Sequence, residues 1–200
     1  MRMIATGIAL AVLLLTGCSG IRLVDSDVNA FSSASAPALA VPASYRFERL
    51  PSQQAQAQRS TALEALAQTE LAKVGLSLDN AAPQYSVHID MHMFRDPQAP
   101  WDDPRYVAGY FTPFPVVTRF GTVMQYPSLT MHFDFPYFRR EIMLVVRRIS
   151  DGQVVFETRA NHDGRWPDDA AVLPAMFQAA LQNFPNPPAG LRHISIEIPR

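Results

Sequence analysis

The chain has 200 residues, 48% of them hydrophobic, and a formal net charge of −1 at neutral pH. This near-neutral balance implies neither the basic surface of a nucleic-acid-binding protein nor a polybasic patch for anionic lipids. Its single cysteine, Cys18, excludes an intramolecular disulfide, and the length is that of one domain with a proper core.

The start of the chain has the parts of a bacterial secretory leader. Arg2 precedes an apolar run over residues 4–15, which is too short to span a bilayer, and a Leu-Thr-Gly-Cys sequence ends at Cys18. This sequence resembles a lipobox, which predicts a signal peptide over residues 1–17 and lipid on Cys18. Two or more acyl chains anchor a protein stably. The alternative is an ordinary secretory signal in which the cysteine occurs by chance.

The residue after the predicted lipid attachment site bears on sorting. In the enterobacterial pattern that the leader resembles, aspartate at this position favours retention in the inner membrane, and here the residue is Ser19. We therefore expect residues 18–200 to form a single domain anchored at the outer membrane, on its periplasmic face. Exposure at the cell surface stays open as an alternative.

The first elements after the leader are two strands and a helix. Residues 21–28 predict a strand, residues 29–44 are rich in Ala, Ser and Pro and predict a loop, and residues 45–50 alternate as a second strand. Thr61 and Glu64 have the spacing of a capping box at a helix start. The apolar side chains that recur on one helix face are Leu63, Leu66, Ala67, Leu71 and Val74.

Two details qualify the bounds of this helix. Gly75 suits the left-handed position that commonly follows a helix. The helix start could also lie nearer Ser52, because residues 53–59 contain nothing that opposes a helix.

Strands dominate the next part of the chain. Residues 85–94 and 129–135 alternate apolar and polar side chains, which is typical of half-buried strands. Residues 141–149 and 154–160 flank the hairpin-turn signal Asp151-Gly152. A turn is also predicted at His162-Asp163-Gly164.

A second helix and a last strand close the chain. The helix is introduced by Asp168 and Asp169 and is ended by Pro185, and residues 194–198 then alternate as a strand. The resulting prediction is an α+β fold in which one antiparallel β-sheet has two α-helices packed on one face.

Residues 95–127 form a long insert between two predicted strands. It contains Trp101, Tyr106 and Tyr110 among several prolines. A loop of this length in a compact domain either is functional or hides an unassigned element, such as a strand over residues 116–124. The aromatic side chains predict either a small satellite core or a recognition surface for an envelope protein, glycan or lipid.

Polar residues alternate along the strand at residues 85–94. His88, Asp90 and His92 share one face, with about 7 Å between successive side chains, and His132 in a later strand could join them. Imidazole and carboxylate groups suit zinc, copper or nickel. The two interpretations are a metal site and a solvated polar face.

No familiar catalytic motif is present. The sequence lacks a nucleophile elbow, a zinc-protease helix, a P-loop and a dinucleotide fingerprint. Asp102-Asp103 and Asp168-Asp169 lie beside prolines, where paired carboxylates cap helices or form turns. We expect a protein that is not an enzyme and needs no cofactor, with a hydrolase as a further alternative.

Four segments of the chain together resemble the bacterial lipoprotein family known as domain of unknown function 4136. They are the Tyr-Arg-Phe strand at residues 45–47, the strand at residues 85–93, the hairpin at residues 144–157, and a terminal helix ending in Asn-Phe-Pro at residues 183–185. The resemblance implies a periplasm-facing lipoprotein with an α+β fold and no established chemistry. The aromatic insert, and Phe156 where tryptophan is common, depart from the family pattern.

Overall fold

The computed structural model describes residues 20–33, 39–96, 115–117, 123–125 and 137–199. Their strands are β1 (Ile21–Ser32), β2 (Ala43–Phe47), β3 (Leu76–Leu78), β4 (Tyr85–Asp96), β5 (Pro115–Val117), β6 (Val123–Gln125), β7 (Tyr137–Arg148), β8 (Val154–Gly164) and β9 (Arg192–Pro199). Their helices are α1 (Pro51–Ala55), α2 (Ala57–Lys73) and α3 (Asp169–Ala180). The fold is α+β, as the sequence predicts.

Seven of the strands form one mixed sheet in the order β3-β2-β4-β7-β8-β1-β9. β1 pairs antiparallel with both β8 and β9. β2, however, runs parallel to β3 and β4, so the prediction of a purely antiparallel sheet is wrong at this edge. The physical reason is the helical connection through α1 and α2, which returns the chain to the end of the sheet from which β2 starts.

The helix start differs from the predicted capping box. α1 begins at Pro51, close to the alternative start near Ser52, and α2 follows after a break at Gln56. Thr61 lies inside α2, where its hydroxyl donates to the carbonyl of Ala57 at 2.9 Å. The capping box at Thr61 is therefore wrong. Gly75 has φ 87° directly after the helix, as expected for a left-handed position.

β1 and β8 each extend four residues beyond their predicted ends. β1 continues to Ser32, so part of the loop predicted from residue 29 is strand. β8 continues to Gly164, so the turn predicted at residues 162–164 is also wrong. His162 is buried there, and its Nδ1 lies 2.7 Å from the carbonyl oxygen of Asp25 on β1. Contact with β1 thus keeps this end of β8 extended.

The start of α3 agrees with the prediction that Asp168 and Asp169 introduce this helix. The Asp168 carboxylate accepts a hydrogen bond from the amide of Ala171 at 3.3 Å and caps the helix. Beyond α3, Phe184 packs edge to face on Phe156, with ring centroids 4.8 Å apart. The phenylalanine that departs from the family pattern therefore belongs to the core.

The hydrophobic core is one cluster formed by residues of the sheet and of the helices. Alternate residues of β1, β4, β7 and β8 meet side chains of α2 and α3 there, and α3 contacts β1, β9 and α2. Thr158 adds a buried hydrogen bond from its hydroxyl to the carbonyl of Ala180, at 3.0 Å. The largest fully buried apolar side chains include Tyr45, Leu71, Val87, Ile142, Leu144, Phe156, Met176 and Phe177.

The described residues group into two compact units. The first comprises residues 20–33, 39–92, 141–162 and 168–199, and the second comprises residues 93–96, 115–117, 123–125, 137–140 and 163–167. The first unit contains the hydrophobic cluster.

Within the second unit, β5 and β6 form a separate antiparallel pair, which replaces the single strand predicted over residues 116–124. Arg140 is buried in the same unit and donates to the carbonyl of Trp166 at 2.8 Å.

No helix of the described residues is both long and apolar enough to cross a membrane.

Candidate functional site

Several predicted functional residues lie outside the described ranges. They are the predicted lipid attachment site Cys18, the aromatic candidates Trp101, Tyr106 and Tyr110, and the candidate metal ligand His132. Their roles stay predictions. The strand predicted at residues 129–135 lies outside the described residues as well. The remaining candidates, His88, Asp90 and His92, lie on the sheet face opposite the hydrophobic cluster, which we term the outer face. Asp25, Asp27, His193 and Ser195, which were not candidates, lie on the same face.

The alternation predicted for β4 is confirmed at residues 87–90, whereas Ser86, predicted on the polar face, is buried and Met93, predicted on the apolar face, is exposed. Val87 and Ile89 are 0% and 5% exposed, whereas His88 and Asp90 are half-buried and His92 is exposed. The two sets of side chains therefore point to opposite faces, as a pleated strand requires. The three polar residues share the outer face.

The contacts of these polar residues do not assemble one ligand set. Nδ1 of His88 lies 3.1 Å from the carbonyl oxygen of Glu48, and Nε2 of His92 lies 3.0 Å from the carboxylate of Asp90. In the part of the chain that the structure describes, no three His, Cys, Asp or Glu side chains are grouped closely enough to hold a metal ion. The geometry brings Asp90 and His92 together and gives His88 a backbone partner.

A second polar cluster lies on the outer face between β1 and β9. Asp25 is opposite Ser195 in the strand register, and Asp27 is opposite His193. The Ser195 hydroxyl donates to Asp25 at 2.5 Å, and Nδ1 of His193 lies 2.9 Å from the Asp27 carboxylate. The hydrogen bond to Asp27, with the negative charges of Asp27 and Asp25, raises the pKa of His193 above its ordinary value.

Sequence reasoning missed this cluster, although a signal exists. Two carboxylates two residues apart on β1 face an imidazole and a hydroxyl two residues apart on β9, and an antiparallel pair brings such positions together. Serine, histidine and aspartate also make up catalytic triads, in which the imidazole accepts the serine proton. Here Ser195 donates to Asp25 and His193 to Asp27, so the cluster consists of two separate cross-strand pairs.

The described residues also contain a cleft of about 410 Å³ near the β3 edge of the sheet. It is lined by Phe47, Arg49, Gln54, Glu64, Leu78 and Asn80. Arg49 and Glu64 form a bidentate pair in which Nε and Nη2 donate at 2.6 and 2.5 Å. This hydrogen bonding raises the pKa of Arg49. The charges in the cleft are thus mutually neutralised.

Tyr45 precedes the cleft residue Phe47 by two positions on β2, and its side chain is fully buried. Its ring packs edge to face on Phe47, with centroids 5.2 Å apart. Burial, and then the negative charge of Glu64, raises the pKa of Tyr45 to about 12. Among the described residues its hydroxyl has no hydrogen-bond partner.

Comparison with known proteins identifies the family. The model of the family described as Domain of unknown function (DUF4136) matches residues 27–186. The chain belongs to this family. The match covers β1 from Asp27 through α3, so both strands of the predicted family hairpin and most of the first unit lie within it. No curated protein matches the chain.

Among solved structures, the chain is similar to a PDZ domain protein from Parabacteroides distasonis ATCC 8503, at 14% identity and a TM-score of 0.51. The similarity covers 94% of this chain but 41% of that one, so the chain spans less than half of that protein, and the likeness is one of fold. Two PelC dodecamer structures from Paraburkholderia phytofirmans match at 13% and 12% identity, with TM-scores of 0.41 and 0.42. Each match covers 78% of this chain and 94% of the PelC chain.

Proposed function

We propose that this member of DUF4136 is a non-enzymatic lipoprotein of the bacterial envelope. Lipid on Cys18 tethers it to the periplasmic face of the outer membrane, where it acts as an interaction or structural module. The observation that carries this proposal is the leader, in which an apolar run is followed by a Leu-Thr-Gly-Cys sequence that resembles a lipobox and contains the chain's single cysteine. Family membership supports the proposal, because the resemblance to this family implies a lipoprotein that faces the periplasm.

The pairing of polar groups on the outer face supports a role other than catalysis. His193 and Ser195 each bind a different carboxylate, so neither the imidazole nor the hydroxyl is set to activate the other. Arg49 and Glu64 likewise satisfy each other in the cleft. These contacts hold strands and helices together, which suits a module that presents a surface.

The partner-binding surface in this proposal is the insert at residues 95–127. Trp101, Tyr106 and Tyr110 supply large contact area at low entropic cost, and long loops on a rigid sheet commonly carry binding residues. The scaffold in this proposal is the sheet with α2 and α3 on one face, because side chains of both helices join one cluster with alternate strand residues.

Metal handling is the second candidate function. The contact that favours it is the 3.0 Å approach of His92 to Asp90, which brings an imidazole and a carboxylate together on an accessible face. A third ligand would be His88 or His132. Elemental analysis of the purified protein tests this function: stoichiometric zinc or copper that is lost in the His88→Ala, His92→Ala double variant supports it, and metal-free protein contradicts it.

The lipid anchor is tested by metabolic labelling with a radioactive fatty acid, followed by membrane fractionation. The wild-type protein should be labelled and should fractionate with the outer membrane, whereas Cys18→Ser should remain unlabelled. Ser19→Asp is the matched variant, because it keeps the cysteine and should redirect labelled protein to the inner membrane. Labelling that persists in Cys18→Ser would refute the anchor.

A further inference from the structure

The start of β1 exposes two large apolar side chains on the outer face. Ile21 and Leu23 are 59% and 54% exposed, and they are opposite Pro199 and Glu197 at the end of β9. Between them Arg22 turns to the other face, where its guanidinium lies 3.7 Å from the Asp168 carboxylate. This corner of the sheet therefore presents apolar surface to its surroundings.

The chain between the predicted anchor and this corner is very short. Only residues 19 and 20 separate Cys18 from Ile21, and three peptide units span at most about 11 Å between the Cα atoms of Cys18 and Ile21. Acyl chains on Cys18 lie in the hydrocarbon core, and the polar interfacial layer above that core is roughly 5–8 Å thick. The tether is thus too short to hold Ile21 far from the lipid headgroups.

We infer that this corner of the sheet docks on the membrane surface, with Ile21 and Leu23 inserted among the lipid headgroups. The inference rests on the proposed lipid anchor and adds the orientation of the domain. It makes the start of β1 a lipid-binding surface and explains why two neighbouring apolar side chains remain exposed on a strand whose other face is buried.

The outer face limits how the sheet meets the bilayer. Asp25 and Asp27 follow Leu23 on the same face of β1, and Glu197 lies opposite Leu23. Laying the whole face on the membrane would remove water from these carboxylates, which is costly for a charged group. The contact is therefore made by the end of the strand and leaves the rest of the outer face in the periplasm.

Fluorescence quenching by spin-labelled lipid tests this orientation in the full lipoprotein. Leu23→Cys and Phe31→Cys each introduce one free thiol for a fluorophore, because the Cys18 sulfur is blocked by its lipid. Phe31 is the matched control: it is 56% exposed on the same face of the same strand, about 26 Å further along. The labelled proteins are reconstituted into phosphatidylethanolamine–phosphatidylglycerol vesicles with and without headgroup-region doxyl lipid.

Quenching at position 23 should be strong, with fluorescence reduced roughly twofold, whereas position 31 should be almost unaffected. Mass spectrometry of the N-terminal peptide first verifies that Cys18 carries lipid. If it does, equal quenching at the two positions, or no quenching at position 23, would overturn the inference. If that peptide carries no lipid, the proposed anchor itself fails, and the docked corner fails with it. Circular dichroism of both variants verifies that the fold is retained.

A linker variant tests the short tether separately. Ten Gly and Ser residues inserted between Ser19 and Gly20 keep the lipid attachment site but lengthen the reach by an average of about 17 Å. Quenching at position 23 should then fall to the value at position 31. Unchanged quenching would mean that tether length does not determine the contact, and the argument from Cys18 would be wrong.

Discussion

Nδ1 of His193 donates a hydrogen bond to the Asp27 carboxylate, 2.9 Å away, and so joins the last strand of the chain to the first. Two residues further on, Ser195 makes the same kind of contact with Asp25. These pairs lie on the outer face, opposite the buried Val24 and Val28 that fix β1 from the other side. The edge strand β9 is thus held by polar contacts on one face and apolar packing on the other.

This pair predicts a pH-dependent contribution to stability. The pKa of His193 is raised in the folded protein, so its contribution is fully present below the unfolded value of about 6.5 and is lost as pH rises through the folded value. His193→Gln should therefore destabilise the protein in urea titrations near pH 5 and make little difference near pH 9. A cost that grows with pH would contradict the prediction.

The same contact can be measured directly. Asp27→Asn replaces the carboxylate by a neutral amide, so the pKa of His193 should fall toward its ordinary value in an NMR titration. Asp90→Asn is the control, because Asp90 lies on β4, which is separated from β1 by β7 and β8 in the sheet order. An unchanged His193 titration in Asp27→Asn would show that the hydrogen bond does not set this pKa.

The two faces of β4 predict opposite sensitivity to substitution. Ile89 is buried in the hydrophobic cluster, so Ile89→Asp should reduce the free energy of unfolding by several kcal/mol, about 3–5, through lost packing and a buried carboxylate. His88→Ala on the outer face should cost under about 1 kcal/mol. Urea unfolding of both variants checks this, and equal sensitivity would mean that both faces are covered.

Tyr45 provides a test of a buried hydroxyl. Because this hydroxyl has no partner among the described residues, Tyr45→Phe removes a desolvated polar group without removing a hydrogen bond. We expect unfolding free energy that is unchanged or increased by up to about 1 kcal/mol, whereas Tyr45→Ala should lose about 3–5 kcal/mol through the cavity it leaves. A large loss in Tyr45→Phe would reveal a hydrogen bond to the hydroxyl.

The alternation of side chains predicted β4 well, because it depends on local pattern alone. Every second residue from Tyr85 to Met91 is apolar, and a single buried face of a pleated strand requires this period. β1 was harder to predict. Its exposed face mixes Ile21 and Leu23 with Asp25 and Asp27, and the partners of these carboxylates lie at the other end of the chain.

The parallel edge of the sheet was not predictable from periodicity. β3 has only three residues, too few to show alternation, and its pairing with β2 depends on where α1 and α2 return the chain. The same non-local contacts explain the misassigned capping box. Glu64 has the right spacing from Thr61, but its carboxylate binds Arg49, which precedes the helix.

The outer face of β4 and the aromatic insert are the two candidates for the surface that binds a partner. A photo-crosslinking residue at Val107, between Tyr106 and Tyr110, should yield a defined adduct with an envelope component in cells. Replacing Trp101, Tyr106 and Tyr110 together by alanine should abolish the adduct while thermal unfolding stays cooperative, and the His88→Ala, His92→Ala variant should keep it. If the aromatic replacements instead unfold the protein, the insert is core and the recognition hypothesis fails. Loss of the adduct in the histidine variant alone would assign the working surface to β4.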